Sequence, residues 1–431
     1  MSNSTEAKPL HKLDILSFKG VQMRTFHITW LTFFVCFFGW FGLAPLMPAI
    51  RADLGLSKGQ IGNIIIASVS ATIFARLIIG KLCDTIGPRK TYTALLAICS
   101  IPVMCVGLAT DYTTFLLFRL AIGVIGASFV ITQFHTSMMF APNIKGTANA
   151  VAGGWGNLGG GITQLAMPVL MATIVGFGYT KGEAWRLAMI FPGVLLLIMA
   201  FVYYKYTKDT PAGNYDEIVR EKSEAVGISF LSAISDKRVL ALSLAYAACF
   251  GMEITFDGVA ALYFFDNFKL TETEAGFWAM LFGFMNIFAR AMGGIFADKV
   301  GLKYGLKGKS LLLATMLVFE GIGITMFASS GNFTLAVLSM LTFAMFLKMS
   351  NGATYSIVPF INKKGVGMVS GVVGAGGNIG GMLMGFLFKS QNLSYSQAFM
   401  IIGSVAIVIG IIVSVVNFEK ETKQEPAYQL G

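Results

Sequence analysis

Two arginines lie inside apolar segments of the sequence, where a charged side chain is costly. Arg76 belongs to IGNIIIASVSATIFARLIIG and Arg290 to GFWAMLFGFMNIFARAMGGIF, and each follows the triplet Ile-Phe-Ala. Each also precedes an aspartate by eight residues, Asp84 or Asp298. Inserting a guanidinium into a hydrocarbon core costs at least about 2.5 kcal/mol. Because the chain bears this cost at two matching points, we expect both guanidiniums to bind an anion between two repeats of a membrane transporter.

The composition indicates a protein embedded in a lipid bilayer. Apolar residues make up 55% of the chain and charged residues 13%, whereas soluble domains carry about 25% charged residues. The net charge of +10 comes from basic loops between apolar runs, a distribution that membrane topology explains without nucleic acid. The five cysteines show neither metal-ligand nor disulfide spacing. We therefore expect no metal, no cofactor and no enzymatic activity.

Continuous apolar runs predict an all-α membrane protein with twelve transmembrane helices in two pseudo-symmetric halves of six. A span needs roughly 20 apolar residues, so the chain can hold about twelve, and the runs lack the alternation of a membrane barrel. IFARLIIGKLCDTIG aligns with IFARAMGGIFADKVG at an offset of 214 residues, as expected for repeats with a site at their interface. The predicted segments are an N-terminal segment (1–23), a first six-helix bundle (24–205), a linker (206–237), a second six-helix bundle (238–418) and a tail (419–431).

The basic residues also predict an orientation in the membrane. An even number of spans places both termini on one side, and the loops on that side hold more lysine and arginine than the opposite loops. The positive-inside rule then places both termini, the linker and the tail in the cytoplasm. We expect an integral protein of the cytoplasmic membrane that works as a monomer.

The loop GKLCDTIGPRK carries a signature that resembles the major facilitator superfamily, where it joins the second and third helices. Gly87 permits a tight turn, Asp84 can cap or pair across the interface between the halves, and Arg89 can anchor at the inner membrane surface. GIFADKVG is a degenerate copy at the matching place in the second half. The predicted gating residues are Gly80, Asp84, Gly87, Arg89 and Asp298.

Two glycine-rich stretches, GTANAVAGGWGNLGGGITQLAMP and VSGVVGAGGNIGGMLMG, occupy matching places in the two halves. Dense glycine lets helices pack closely in membranes. A dinucleotide-binding loop is excluded because no strand precedes the glycines and no acidic residue follows at the right distance. Asn157 and Asn378 offer amide donors, and the backbone at Gly156 and Gly377 could approach a small anion.

This pair of stretches resembles the twin signature of the nitrate/nitrite porter family of the major facilitator superfamily. AGGWGNLGGGITQLAMP, DTPAGNYDEI and YFFDNF are especially similar to its assimilatory nitrate-transporter branch, and the chain looks like a compact prokaryotic form. The resemblance covers essentially the whole chain, and it implies a major facilitator fold with nitrate or nitrite as the substrate. It implies a binding site formed by Arg76, Arg290, Tyr246, Phe129, Asn157 and Asn378.

The chemistry of nitrate agrees with a site built on arginine. Nitrate is planar and singly charged, and a guanidinium is planar, permanently charged and able to donate paired hydrogen bonds. Import of an anion opposes an inside-negative potential by about 2.3 kcal/mol per charge per 100 mV. Proton symport or exchange for internal nitrite would each remove that barrier, and the resemblance favours symport. Transport of another small anion, and sensing without transport, are the competing functions.

Three buried titratable residues are candidates for proton coupling. Glu253 and Asp257 lie one turn apart on one face of the seventh span, and intramembrane carboxylates are frequent proton relays. His135 lies in the fourth span. Each has a structural alternative, since Glu253 or Asp257 can be the fixed partner of an arginine or lysine and His135 can be a hydrogen-bonded packing residue.

Overall fold

The computed structural model of the chain describes residues 8–141, 144–217, 229–362 and 366–419. Over these ranges the chain is helical, and its extended pairing is limited to isolated bridges at Leu10 and Thr210. The predicted all-α class is therefore confirmed. Residues 1–7 and 420–431, which belong to the predicted terminal segments, lie outside the described ranges.

The first half of the described chain holds nine α-helices. They are α1 (Gly20–Phe41), α2 (Met47–Leu54), α3 (Lys58–Ile86), α4 (Pro88–Cys105), α5 (Tyr112–Gly123), α6 (Ser128–Met139), α7 (Lys145–Gly176), α8 (Lys181–Ala188) and α9 (Ile190–Tyr206). α5 and α6 form one span, Tyr112–Met139, and α8 and α9 form another, Lys181–Tyr206.

The second half of the described chain holds seven α-helices. They are α10 (Phe230–Ser235), α11 (Lys237–Phe268), α12 (Glu272–Phe284), α13 (Ala289–Ala328), α14 (Phe333–Ile361), α15 (Val366–Lys389) and α16 (Tyr395–Val415). α10 lies in the segment predicted as the linker. Apart from α10, the first and last helices of the two halves begin and end within four residues of the predicted limits.

Ten segments of the described residues are long and apolar enough to cross a membrane. One of them, Glu272–Ala328, is 57 residues long, and the chain turns inside it at Gly305, where φ is 61°. α1 is 22 residues long but is not among the ten, since polar side chains such as Gln22 and Arg24 lower its hydropathy. If the long segment is divided at Gly305 and α1 is added, the ten segments become twelve spans. The helix lengths fit the predicted number of twelve, which stays a prediction.

The spans that carry Phe129 and Arg290 are each broken just before these residues. The 3₁₀ segment Val124–Ala127 separates α5 from α6, and Met285–Ile287 separates α12 from α13. The apolar runs predict unbroken helices at both places. Hydrophobic periodicity does not distinguish a short 3₁₀ segment, with hydrogen bonds between residues i and i+3, from an α-helical turn. Irregular backbone at membrane depth is tolerated where it is buried in protein or lines a cavity.

The linker is described only at its two ends. At the first end, Glu217 accepts hydrogen bonds from the backbone (3.1 Å) and side-chain (2.7 Å) nitrogens of Asn214 and from Lys208 (3.3 Å). These donors lower the pKa of Glu217 to about 2. The second end carries α10, and residues 218–228 between them lie outside the described ranges.

The two halves are tied together at one end of the bundle, which we call the closed end. The bonds that join the halves there are Arg51–Asp266, Lys181–Glu272 and Lys58–Leu393. Arg51 donates to both carboxylate oxygens of Asp266, at 2.9 and 2.7 Å. Capping boxes start the helices at this end, as at Ser57 and Thr271, and they fix the loops that carry the ion pairs.

Candidate anion-binding site

Arg76 lies in α3 and is almost completely buried, with 9% of its surface exposed. Its Nη1 donates to the carbonyl of Gly374 in α15 at 3.0 Å, so it reaches into the second half. Its Nη2 lies 3.4 Å from the carbonyl of Gly126, in the break between α5 and α6. The guanidinium carbon is 5.4 Å from the ring centre of Phe129 and 6.0 Å from that of Phe250. Its Nε has no hydrogen-bond partner in the described part of the chain.

Arg290 lies at the start of α13, directly after the break in its span, and is 4% exposed. Its Nη2 donates to the Tyr246 hydroxyl at 3.1 Å, and its Nη1 lies 3.8 Å from a carboxylate oxygen of Glu253. Nη1 makes no hydrogen bond to any described residue. A Cβ at Gly352 of α14 would lie 2.0 Å from the Arg290 carbonyl. The position of Arg290 therefore depends on backbone contact between α13 and α14.

Four aromatic rings pack together beside the two guanidiniums, and we call Phe129, Tyr246, Phe250 and Tyr355 the aromatic group. Tyr246 and Phe250 are parallel, with centres 4.9 Å apart and planes at 2°. Tyr355 packs edge-on to Tyr246 at 5.0 Å and to Phe129 at 6.1 Å. Arg76 borders this group at Phe129 and Arg290 borders it at Tyr246. Flat apolar faces beside guanidinium groups suit a flat, weakly hydrated anion.

The signature asparagines are fully buried and already hydrogen bonded. Asn157 donates to a carboxylate oxygen of Glu253 at 3.3 Å, and Asn378 donates to the Gly374 carbonyl at 3.3 Å. Neither side-chain oxygen has a partner among the described residues. In this conformation the amide groups therefore hold protein groups around the arginines, and their predicted contact with the anion stays a prediction.

The two signature glycines pack against aromatic rings. A Cβ at Gly156 would lie 2.0 Å from the ring of Phe33, and a Cβ at Gly377 would lie 2.6 Å from the ring of Tyr246. The space that a larger residue would need is thus filled by rings in this conformation. Gly377 leaves room for the ring of Tyr246 and Gly156 for that of Phe33. The predicted approach of the glycine backbone to an anion stays a prediction.

Glu253 is fully buried and accepts hydrogen bonds from several side chains, which together form what we call the Glu253 network. One oxygen accepts from Lys348 at 2.6 Å and Asn286 at 2.9 Å, and the other accepts from Asn351 at 2.6 Å. Arg290 adds an ion pair at 3.8 Å. Glu253 can be interpreted as a proton relay or as the fixed partner of cationic side chains. This geometry matches the second interpretation.

Asp257 and His135 occupy different surroundings. Asp257 lies one turn beyond Glu253 in α11 and is 2% exposed, and its backbone carbonyl accepts a hydrogen bond from the side-chain amide of Gln164 at 2.7 Å. His135 contacts the Tyr203 hydroxyl at 2.5 Å and the Lys208 carbonyl at 2.7 Å through its two ring nitrogens. These contacts place His135 inside the first bundle, apart from the Glu253 network, as its packing interpretation predicts.

The signature loop forms a tight turn at Gly87, where φ is 91°. Arg89 donates to the Tyr204 carbonyl at 2.9 Å and lies over that ring at 4.5 Å, so it binds within its own half. Asp298 accepts from Lys309 at 2.6 Å, also within its own half. Asp84 lies in the last turn of α3, three residues before Gly87, and Gly80 lies one turn earlier beside helix α6. The gating role of these residues stays a prediction.

Several residues near the arginines or the Glu253 network are absent from the site that the sequence predicts. They are Phe250, Tyr355, Asn286, Asn351 and Glu320. Phe250 follows Tyr246 by four residues, a spacing that places both on one helical face. Glu320 lies in the apolar run LLLATMLVFEGIGITMFA, so the argument that selects Glu253 from its span also applies to Glu320.

Comparison with known proteins gives consistent matches over most of the chain. The family model described as Major Facilitator Superfamily matches residues 29–359. High affinity nitrate transporter 2.5 of Arabidopsis thaliana is 37% identical over 402 residues, which cover 92% of this chain and 80% of the relative. Nitrate/nitrite transporter NrtP of Nostoc punctiforme is 28% identical, with 95% of each chain covered.

Solved structures share the architecture at low sequence identity. A bacterial homolog to the human lysosomal transporter Spinster, in an inward-facing and unoccupied conformation, matches with a TM-score of 0.66 at 16% identity. The match covers 92% of this chain and 95% of that structure. This likeness shows a common fold.

Proposed function

The chain belongs to the nitrate/nitrite porter family of the major facilitator superfamily, and from this premise we propose that it imports nitrate by alternating access of its two halves. One observation carries the proposal. Arg76 and Arg290 come from different halves and border the same aromatic group. Each keeps a buried guanidinium nitrogen, Nε of Arg76 and Nη1 of Arg290, that makes no hydrogen bond to any described residue. A buried donor without an acceptor costs about 1–3 kcal/mol, and a bound anion would supply the acceptor.

The chemistry of the site favours nitrate among small anions. Nitrate is flat and carries one charge over three oxygens, so it can accept from two guanidinium groups while its faces lie against rings. The Arabidopsis relative is a high affinity nitrate transporter and the Nostoc relative is a nitrate/nitrite transporter. Nitrite has the same charge and a smaller outline, and we propose it as a second substrate.

Alternating access follows from the way the two halves share the site. Arg76 belongs to the first half and donates to Gly374 of the second. Binding of an anion reduces the repulsion between Arg76 and Arg290 and so favours the conformation in which the halves approach. With both termini in the cytoplasm of the cell, the closed end faces outward. Nitrate would then enter after the pairs at that end, such as Arg51–Asp266, have separated.

Import against an inside-negative potential requires an energy source. We propose proton symport, because two protons per nitrate would give the loaded carrier a net positive charge, and the potential would then drive it inward. Exchange for internal nitrite is the alternative. The charged side chains of the Glu253 network are buried. Solvent is therefore kept away from the buried charges on which proton coupling would depend.

Nitrate uptake into proteoliposomes tests both parts of the proposal. With an imposed inward proton gradient and no internal nitrite, we expect accumulation that a protonophore abolishes. Uptake that requires internal nitrite would mean exchange. Failure to transport nitrate under either condition, or equal inhibition by formate, acetate and a phosphate ester, would refute nitrate as the substrate. Liposomes that contain Arg76→Lys and liposomes without protein are the controls.

A further inference from the structure

Glu320 is a fully buried carboxyl group in the middle of the apolar part of α13 that follows Gly305. Neither of its carboxyl oxygens has a hydrogen-bond partner among the described residues. An ionised carboxylate in an apolar interior is strongly unfavourable unless donors surround it. The surroundings of Glu320 therefore suit the neutral, protonated acid.

Glu253 is equally buried but has the opposite surroundings. It accepts from Lys348, Asn286 and Asn351 at 2.6 to 2.9 Å, and Arg290 lies close by. These donors stabilise the ionised carboxylate and leave it little tendency to take up a proton. When two neighbouring carboxyl groups are held in opposite protonation states by their surroundings, the neutral group is the one that can supply a proton.

The groups that face Glu320 are few, and none of those in the described part of the chain donates a hydrogen bond to it. α11 contributes Glu253 and Cys249, and α14 contributes Lys348 and Ser350. The ammonium group of Lys348 donates to Glu253, and the hydroxyl of Ser350 donates to the Phe346 carbonyl at 2.9 Å. α16, which also packs on α13, has no charged side chain between Tyr395 and Val415. The Ser350 oxygen can still accept, and a protonated Glu320 is the group able to donate to it.

We propose that Glu320 carries a transported proton, an inference that rests on the proposed proton symport. The carboxylate takes up one proton from water on the outer side, forming an O–H bond, and releases it to water on the inner side. Protonation of Glu320 raises the charge of the buried group by one unit, and nitrate at Arg290 lowers it by one unit. Loading both ligands leaves the buried charge unchanged, which couples the two binding events. Glu253 is then a positioning residue for Arg290 and Lys348.

Glu320→Gln tests the proposal because glutamine keeps the shape of the neutral acid and cannot release a proton. Proteoliposomes held at zero membrane potential receive an inward gradient of one pH unit. Each coupled proton should then raise wild-type nitrate accumulation about tenfold. We expect Glu320→Gln to accumulate about tenfold less nitrate than the wild type under this gradient. The variant should still exchange external labelled nitrate for internal unlabelled nitrate. Glu320→Asp, which keeps a carboxyl group, should retain proton-driven accumulation.

The outcomes separate this inference from the proposed function. Absence of proton-driven accumulation in the wild type would refute symport itself. Accumulation by Glu320→Gln equal to that of the wild type would overturn the role of Glu320. The role would also be overturned if Asp257→Asn lost proton-driven accumulation while Glu320→Gln kept it. Should Glu320→Gln fail to exchange nitrate, proton uptake by the purified wild type on nitrate binding decides, measured in alkaline solution where the Glu320 carboxyl group is ionised before nitrate is added. Uptake that Glu320→Asp preserves supports the proposal, and absence of uptake in the wild type overturns it.

Discussion

At the residue scale, the two arginines are held in different ways. Arg76 donates to a backbone carbonyl of the opposite half, whereas Arg290 donates to the Tyr246 hydroxyl and faces the Glu253 carboxylate. Arg290 is therefore anchored by side chains of its own half, and Arg76 is the residue whose bonds must change when the halves separate. Lysine could replace the charge in either place, but it lacks the planar fork that binds two oxygens together.

Arg290→Lys should weaken nitrate binding about 10- to 100-fold. A hydrogen bond to a charged group contributes about 1.5–3 kcal/mol, and lysine would lose the bond to Tyr246 or the donor that remains free for the anion. Calorimetric measurement of the Kd for nitrate, on protein purified in detergent, checks this expectation.

Arg119→Lys is the matched control for this experiment. Arg119 is as buried as Arg290, at 4% exposure, but it donates to the Trp40 carbonyl at 2.8 Å inside the first half. The Kd of this variant should equal that of the wild type, even if its thermal stability falls. A similar loss of affinity in both variants would show a general effect of removing a buried guanidinium and would argue against a specific clamp.

At the element scale, glycines set the distance between the helices that carry the site. A Cβ at Gly352 would lie 2.0 Å from the Arg290 carbonyl, and a Cβ at Gly293 would lie 2.1 Å from the Met349 carbonyl. α13 and α14 are therefore in backbone contact at the level of Arg290. Close packing of this kind is the usual role of small residues in membrane helices.

Gly352→Ala should move the first turns of α13 and thereby displace Arg290. We expect a lower midpoint of thermal unfolding and at least about a tenfold weaker Kd for nitrate, since a displaced guanidinium loses charged hydrogen bonds. Gly371→Ala in α15 is the control, because its added Cβ would meet no atom within 4 Å. Unchanged affinity in Gly352→Ala would show that α14 can yield without moving the site.

The same elements show how far the sequence predicts the structure. Arg76 and Arg290 can be identified because a charge within an apolar run is a local signal. Phe250 and Tyr355 cannot be identified in this way, since they resemble the other members of a set of 37 phenylalanines and 13 tyrosines. Their role depends on which helix faces meet. The breaks before Phe129 and Arg290 are likewise tertiary features, because hydropathy does not distinguish a 3₁₀ turn from an α-helical one.

At the scale of the whole molecule, the closed end determines which side of the membrane can reach the site. A cavity of about 140 Å³ lies there between the halves, and Val259 and Ile61 are among its lining residues. Arg51 and Asp266 also line it and form the bidentate pair that spans the two halves. Both side chains are a quarter to a third exposed, so their pair is partly screened by solvent and contributes about 0.2–1 kcal/mol.

Asp266→Asn should therefore open the closed end about 1.4- to 5-fold more often than in the wild type. A single reporter cysteine, Val259→Cys, would be placed in a background from which the five native cysteines have been removed. Its rate of modification by a membrane-impermeant maleimide should rise by the same factor in Asp266→Asn, because the reporter side chain is 1% exposed while the end is closed.

A second ion pair at the same end distinguishes opening from local loosening. Asp53 pairs with Arg186 at 2.8 Å, with similar exposure, but both residues belong to the first half. Asp53→Asn removes a bond of the same kind without releasing one half from the other, so the reporter rate should stay at its wild-type value. Equal acceleration by both substitutions would mean that loop mobility admits the reagent. Acceleration by Asp266→Asn alone, reversed by nitrate, would show that the pair between the halves and the anion site act on one movement.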